Sequence, residues 1–359
     1  MEVSAQVPTG SSAFSRHSWP VGATVRWPMS DVAAEPVDPD AESSVDPSEP
    51  LGDVVLAVDV GATHFQAGLV TTRGVLIDRA RARIEPDVGP ESQYTTLALT
   101  VTEMLERAGS RHAVSVRGLG VTSGAHASRG LELVSPLSVP GWRDFPLRSR
   151  LVELSGHAVY GDLDAKALAL AEGWLGAARG QPNFCAITVS AGVSGGIILD
   201  GDLLDGESGY AGQIGHFIVE PGGRRCTCGT QGCLEAEASG QAIDAITGRP
   251  VSEPSYQIMQ RTGDVVGRAA ASMCNAFDLS LVVVGGSVAL GFGSTFFHAA
   301  QVSLDEHARQ PYSRGARITP SRLGEQGPLV GAGAVGWRGL RRAARRRSPN
   351  AGSQPPNAR

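Results

Sequence analysis

From residue 54 onward the chain alternates short apolar runs with turns rich in glycine, aspartate and threonine, and each run has the length of a strand. VVLAV, beginning at Val54, passes through DVGATH into FQAGLV, with a further turn from Thr72 to Gly74, which reads as a β-hairpin with its tip at Gly61. The layout returns over 184–204 as FCAITV, SAGVSGG and IILD with a turn at Gly201, so the second passage reads as an echo of the first. LVVVGGSVA, at 281–289, is a buried strand running into paired glycines. Between the hairpins, DLDAKALALAEGW at 162–174 is rich in Ala and Leu and predicts a helix with Asp162 or Asp164 at its N-terminal end. Residues 1–52 hold Ser, Pro, Asp and Glu without a period and read as a disordered tail, inside which Met29 is an alternative start; 346–359 reads as a second tail.

Glycine and small hydroxyl residues at hairpin tips let backbone N–H groups approach phosphate oxygens, so two facing hairpins could clamp a nucleotide's phosphates. Either tip alone carries little weight, because most Gly-rich hairpins only turn the chain. The paired glycines Gly285 and Gly286 suit a helix start beside an adenosine. Neither the Walker spacing nor the dinucleotide fingerprint occurs. A carboxylate at Asp162 or Asp164 is, on local sequence alone, a plain helix cap.

Three of the five cysteines, Cys226, Cys228 and Cys233, crowd into Gly-rich turns shortly after His216. Three thiolates and one imidazole complete a tetrahedron and leave no open position for a catalytic water, so the set reads as structural zinc. Cys185 and Cys274 sit in apolar segments and read as packed core.

The 359 residues, 42% hydrophobic with a net charge of -5, suffice for two modest domains. The main basic cluster, Arg338, Arg341, Arg342, Arg345, Arg346 and Arg347, is confined to the end, so no broad nucleic-acid footprint exists and a terminal helix end or solvated tail is expected. No apolar run approaches the ~20 residues of a membrane span, and no signal peptide is evident, which leads us to expect a cytoplasmic protein.

These elements, in this order, resemble the ROK family of bacterial glucokinases, other sugar kinases and sugar-responsive repressors, over roughly residues 54–337. The most specific part is GYAGQIGH followed by CTCGTQGCLE, which is similar to the family's Gly-Glu-x-Gly-His, Cys-x-Cys-Gly and Gly-Cys-Leu-Glu. The resemblance implies an actin-like, ribonuclease-H-like pair of α/β domains with a zinc-stabilised loop: 53–160 completed by a C-terminal helix near 331–345, and 161–330. It assigns zinc to His216, Cys226, Cys228 and Cys233, and sugar contacts to Gln213, His216 and Glu235. Asp59, Gly61 and Thr63 match the first phosphate loop, Gly192, Gly195 and Gly196 the second, and Gly285 and Gly286 the adenosine segment. Asp164, eight residues before Glu172, matches the catalytic base in the family's register, ahead of Asp162. SPLSVPGW, ending at Trp142, matches the segment ahead of the sugar site. The implied chemistry is transfer of a phosphoryl group from ATP, with Mg²⁺ near Asp59, to a hexose such as glucose at its primary hydroxyl. Family members are often dimers or tetramers, so a homo-oligomer is implied.

The chain departs from the family pattern where Leu163 and Lys166 replace asparagines, Gln213 replaces a glutamate, and Ala62, His64, Ser190, Ala191 and Ser194 alter the phosphate loops. A sugar hydroxyl left unpaired against Leu163 would cost about 1–3 kcal/mol. Two readings follow: an ATP-dependent hexokinase of the glucokinase type, or a non-catalytic sugar-binding or regulatory relative. No helix-turn-helix pattern precedes the sugar module.

Overall fold

Apolar runs buried almost continuously, with alternation only in the edge strand β3, form a five-stranded sheet: β1 (Asp53–Val60), β2 (His64–Thr71), β3 (Leu76–Arg83), β4 (Ser115–Ser123) and β5 (Val159–Leu163). A computed structural model describes residues 52–85, 87–124 and 127–347; apart from Gly52, the tail expected over 1–52, with Met29, lies outside the described residues, as does the chain after 347. A second sheet holds β6 (Phe184–Val189), β7 (Val193–Leu199), β8 (Asp202–Leu203), β9 (Leu281–Gly285) and β10 (Arg317–Pro320). Their strand orders, β3-β2-β1-β4-β5 and β10-β9-β6-β7-β8, are the same order read from opposite ends, so the echo between the two hairpins extends to the whole sheet. In each, the hairpin strands pair antiparallel and the later strands add in parallel.

Helices cover both faces. α1 (Pro90–Ser110) and α2 (Leu147–Ser155) flank the first sheet, where Leu97, Val101, Met104, Leu147 and Leu151 are fully buried. On the second, α6 (Tyr256–Phe277) and α7 (Ser287–His307) bury Val266, Ala270, Phe296 and Ala300, and the shorter α4 (Leu234–Ala238) and α5 (Gly240–Thr247) precede them. Cys185 and Cys274 are buried in this second core, as expected.

α3 (Asp164–Trp174) and α8 (Gly327–Arg347) pack on each other, α3 against β6 and β7, α8 against β1 and β4. Their approach is close because small residues line it. A Cβ on Gly120 of β4 would stand 1.9 Å from the Ala332 carbonyl oxygen and 2.6 Å from the Gly336 nitrogen. Gly120→Ala is therefore expected to destabilise the fold by about 3 kcal/mol, read from urea unfolding, since backbone on both sides has no room to yield. Unchanged stability would show that the α8 crossing is looser than the packing implies.

One helix start left open by the sequence is resolved, and one boundary lies beyond the expectation. Asp162 belongs to β5, in register with Thr122 of β4, and the helix begins at Asp164, after an extended Leu163. α8 continues through Arg347, two residues into the stretch expected as a tail. Its arginines are also not simply solvated: Arg338 and Arg342 donate to Asp205.

Candidate active site

The parallel strands β1, β4 and β5 end together, with Asp59, Thr122 and Asp162 in one row and Val60, Ser123 and Leu163 in the next. Such carboxyl ends are where open α/β sheets offer backbone and side chains to ligands. Asp59 lies in β1 with 5% exposure and accepts a 2.8 Å hydrogen bond from the Thr122 hydroxyl. Burial pushes its carboxyl up to about 7, opposed by hydrogen bonds from Thr122 and Gln66, and the nearby charge of Asp164 pushes the same way as burial.

Asp164 follows one residue after β5 and opens α3, where its own carboxylate accepts from the Ala165 N–H at 2.6 Å. The residue is exposed, although protein atoms crowd around its carboxyl. Loss of hydration there raises its pKa to about 6, against the lowering effect of the Ala165 bond. Gly124, just past β4, faces it: a Cβ at 124 would lie 3.8 Å from Asp164 Oδ2. Two carboxylates that resist ionisation thus share one strand-end site, the kind of arrangement that metal or proton chemistry uses. Leu163, between them in sequence, is 5% exposed and belongs to the apolar cluster of Leu131 and Val134. Ser123, which the sequence did not single out, is fully buried at the same strand end with no partner for its hydroxyl among the described residues.

The first hairpin turn, from Gly61 to Thr63, stands above Asp59. The Gly61 N–H donates to the His64 carbonyl at 3.1 Å, and the Thr63 hydroxyl lies 2.9 Å from His64 Nδ1. Phe65, which follows, is fully buried against Trp142, itself stacked on Phe145 at 4.3 Å. The SPLSVPGW segment therefore anchors the hairpin through Trp142, whose indole N–H donates to Pro90 O.

The second hairpin turn, Ser190 to Gly192, is tied to the start of α7: Ser190 Oγ accepts from the Ser287 N–H at 3.0 Å. Gly286 adopts φ 96°, and a Cβ there would stand 2.3 Å from Val189 O, so only glycine serves this strand-to-helix junction. Gly285 packs against Ser321 and Leu168. Gly195 and Gly196 were expected in the phosphate turn and lie instead inside β7. Their hydrogens face Ile214 and the Ala165 to Ala169 stretch of α3, where a Cβ would come within 2.8 Å of Ala169 Cβ from Gly196 and 2.3 Å of Ile214 Cδ1 from Gly195. Close packing against Ile214 and α3 requires glycine at these two positions.

Glu235 lies on α4, and its carboxylate accepts from the Val193 N–H beside Gly192 and Gly215. Burial raises its pKa and the Val193 bond lowers it. Gln213 precedes the single turn 214–216 that ends at His216. Two groups of expected residues result, Asp59 and Asp164 with the first hairpin, and Glu235, Gly192 and Gly286 with the second. Among the described residues no hydrogen bond joins Asp164 to Gln213, His216 or Glu235.

His216, Cys226, Cys228 and Cys233 bring their ligand atoms within 4.8 Å of one another. Cys226 Sγ lies 3.8 Å from His216 Nδ1 and Cys228 Sγ lies 3.7 Å from Cys233 Sγ. A tetrahedron with zinc–sulfur bonds of ~2.3 Å has edges of about 3.8 Å, so the donor set and its spacing fit zinc. The loop is held from below by Glu237, which is fully buried and accepts from the Arg224 N–H and from the guanidinium groups of Arg224 and Arg261. Gly232, at φ 77°, passes so near Glu220 that a Cβ would come 1.8 Å from its carbonyl oxygen. Neither Glu237 nor Asp205 was visible in the sequence, since each finds its cations far along the chain.

Paired sheets of one strand order, with hairpins and helices so placed, define the actin-like α/β class. The family model described as ROK family matches residues 55–337, and the chain belongs to that family. The glucokinase of Thermotoga maritima is 27% identical over 311 residues, which cover 78% of this chain and 96% of that protein. The N-acetylmannosamine kinase of Yersinia pseudotuberculosis is 36% identical over 256 residues, covering 66% and 84%. A crystal structure of a ROK hexokinase from Thermus thermophilus superposes with a TM-score of 0.68 at 30% identity, covering 80% of this chain and 99% of its own. No helix among the described residues is long and apolar enough to cross a membrane.

Proposed function

We propose that the chain is an ATP-dependent sugar kinase acting on the primary hydroxyl of a hexose, with glucose and N-acetylmannosamine as the first candidates. The observation that carries this reading is the pair Asp59 and Asp164 at the shared ends of β1 and β5, beside a glycine hairpin. The similarity to proteins named glucokinase and N-acetylmannosamine kinase supports the same class.

In this reading Asp164 accepts the proton of the sugar hydroxyl, and Gln213, His216 and Glu235 hold and orient the sugar. Asp59 would hold Mg²⁺ directly or through water, and the turns carrying Gly61, Thr63 and Gly192 would lie against the phosphates, with the Gly61 N–H itself engaged by the His64 carbonyl. Gly285 and Gly286 bring β9 and α7 against the nucleoside. Bound Mg²⁺ and ATP supply the transferable phosphoryl group and neutralise its charge. His216, Cys226, Cys228 and Cys233 would hold zinc, which would tie the loop to α4 and so to Glu235.

A base must be ionised to accept a proton, and burial lifts Asp164 to about 6. kcat/KM is therefore expected to fall about tenfold per pH unit below that value and to level off above it. A profile flat down to pH 4.5 at fixed saturating metal would remove Asp164 from the role.

The altered phosphate loops favour a second reading, a sugar binder without catalysis. Titration of Mg·ATP followed by calorimetry separates them: the kinase binds it saturably. Absence of binding at millimolar nucleotide would transfer the case to the sugar binder.

A further inference from the structure

A cavity of about 550 Å³ opens between β5, α8 and the loop that follows β8, and none of Asp59, Asp164, His216 or Glu235 lines it. Its walls carry six arginines, Arg129, Arg148, Arg338, Arg342, Arg346 and Arg347, together with Lys166, the sole lysine of the chain. The carboxylates that answer them are Asp162, Asp205 and, through Arg148, Glu132, so positive groups outnumber negative ones by more than two to one.

The inner part of this charge set is built and paired. Lys166 Nζ, with its side chain 2% exposed, stands 3.1 Å from Asp162 and 3.4 Å from Asp205 and donates to Gly209 O at 3.0 Å. Arg338 spans both oxygens of Asp205 at 3.0 and 3.1 Å, and Arg342 reaches the same carboxylate at 2.7 Å. These cations hold the Asp205 carboxyl down to about 2, against the opposing effect of its partial burial. The outer part has no carboxylate partner among the described residues. Arg129 donates only to the Glu207 carbonyl, and Arg346 and Arg347 have no carboxylate partner among the described residues. Arg338, Arg342 and Arg346 recur every fourth residue and so share one face of α8, and that face lines the cavity.

Planar guanidinium groups around a concave surface, with a fixed ammonium behind them, match the oxygens of a phosphate group. The geometry points to a second ligand site here, for a small phosphate-bearing anion of at least two negative charges, separate from the strand-end site of Asp59 and Asp164. The site joins three segments: the β5–α3 step that delivers Asp164, helix α8, and the 205–210 loop that leads to Gln213 and His216. An anion bound to all three fixes their relative position and thereby acts on the placement of Asp164. Binding itself does not depend on the kinase reading.

Calorimetric titration of the full chain, free of metal and nucleotide, with inorganic pyrophosphate and separately with glucose 6-phosphate, tests the site. Saturable binding is expected, weakened at least about tenfold by Arg342→Ser and by Arg129→Ser, and retained in Asp164→Asn. Arg129 is an exposed side chain, so its variant folds even if Arg342→Ser does not. Binding of pyrophosphate alone would name a condensed inorganic phosphate as the ligand class, and binding of glucose 6-phosphate a sugar phosphate. The inference is overturned if neither probe binds, if Arg129→Ser binds both as tightly as the wild type, or if binding disappears in Asp164→Asn and survives in the arginine variants.

Discussion

Asp164→Asn is expected to lower sugar phosphorylation by about 10²–10⁴-fold while sugar affinity is unchanged, because the amide keeps the shape of the carboxylate and cannot accept the hydroxyl proton. The same change is expected to raise the melting temperature. In the folded chain Asp164 titrates near 6, above its ordinary 3.8, so the native state holds this proton more tightly than the unfolded chain does. That stabilisation is fully present below about pH 4, fades between there and about 6, and above it the ionised carboxylate costs stability. Asparagine removes the cost. A variant that loses activity and melts higher at pH 8, without metal, separates loss of a base from loss of the fold; one that loses activity and melts lower would point to a structural role for the carboxylate.

Cys233→Ser is expected to release the metal altogether and to lower both melting temperature and sugar affinity. Cys233 is fully buried, it is the residue that leads into α4, and Glu235 follows two residues later. Because the folded loop supplies all four donors, metal binding free energy is also loop-folding free energy, and removing one thiolate forfeits most of it. The exposed Cys228→Ser should act in the same direction with a smaller effect on melting. Elemental analysis and calorimetry check both variants. Wild-type protein purified without chelator that contains no zinc would remove the basis for this expectation.

Local patterns made the hairpins, the body of α3 and the junction of β9 with α7 legible before any coordinates, because each depends on neighbours within a few residues. The four-donor cluster of His216, Cys226, Cys228 and Cys233 was legible for the same reason, through its spacing in Gly-rich turns. The choice between Asp162 and Asp164 stayed open on local pattern because an Ala- and Leu-rich run does not announce where parallel pairing with β4 stops and helix begins. The packing of Gly195 and Gly196 was not legible, because glycine before a ligand and glycine in a close contact look alike in sequence, and only the positions of Ala169 and Ile214 reveal the contact. The basic cavity was invisible for a further reason: Lys166, Asp205 and Arg338 meet across separations that carry no periodic signal.

The central claim is that two strand-end carboxylates and a pair of hairpins transfer a phosphoryl group to a sugar. Its most direct test is ADP release by the wild-type chain with Mg·ATP, measured against glucose, mannose, N-acetylglucosamine, N-acetylmannosamine and fructose. The account predicts sugar-dependent turnover on at least one of them, absent without sugar and lost in Asp164→Asn. Saturable sugar binding with no ADP release on any of the five would contradict it.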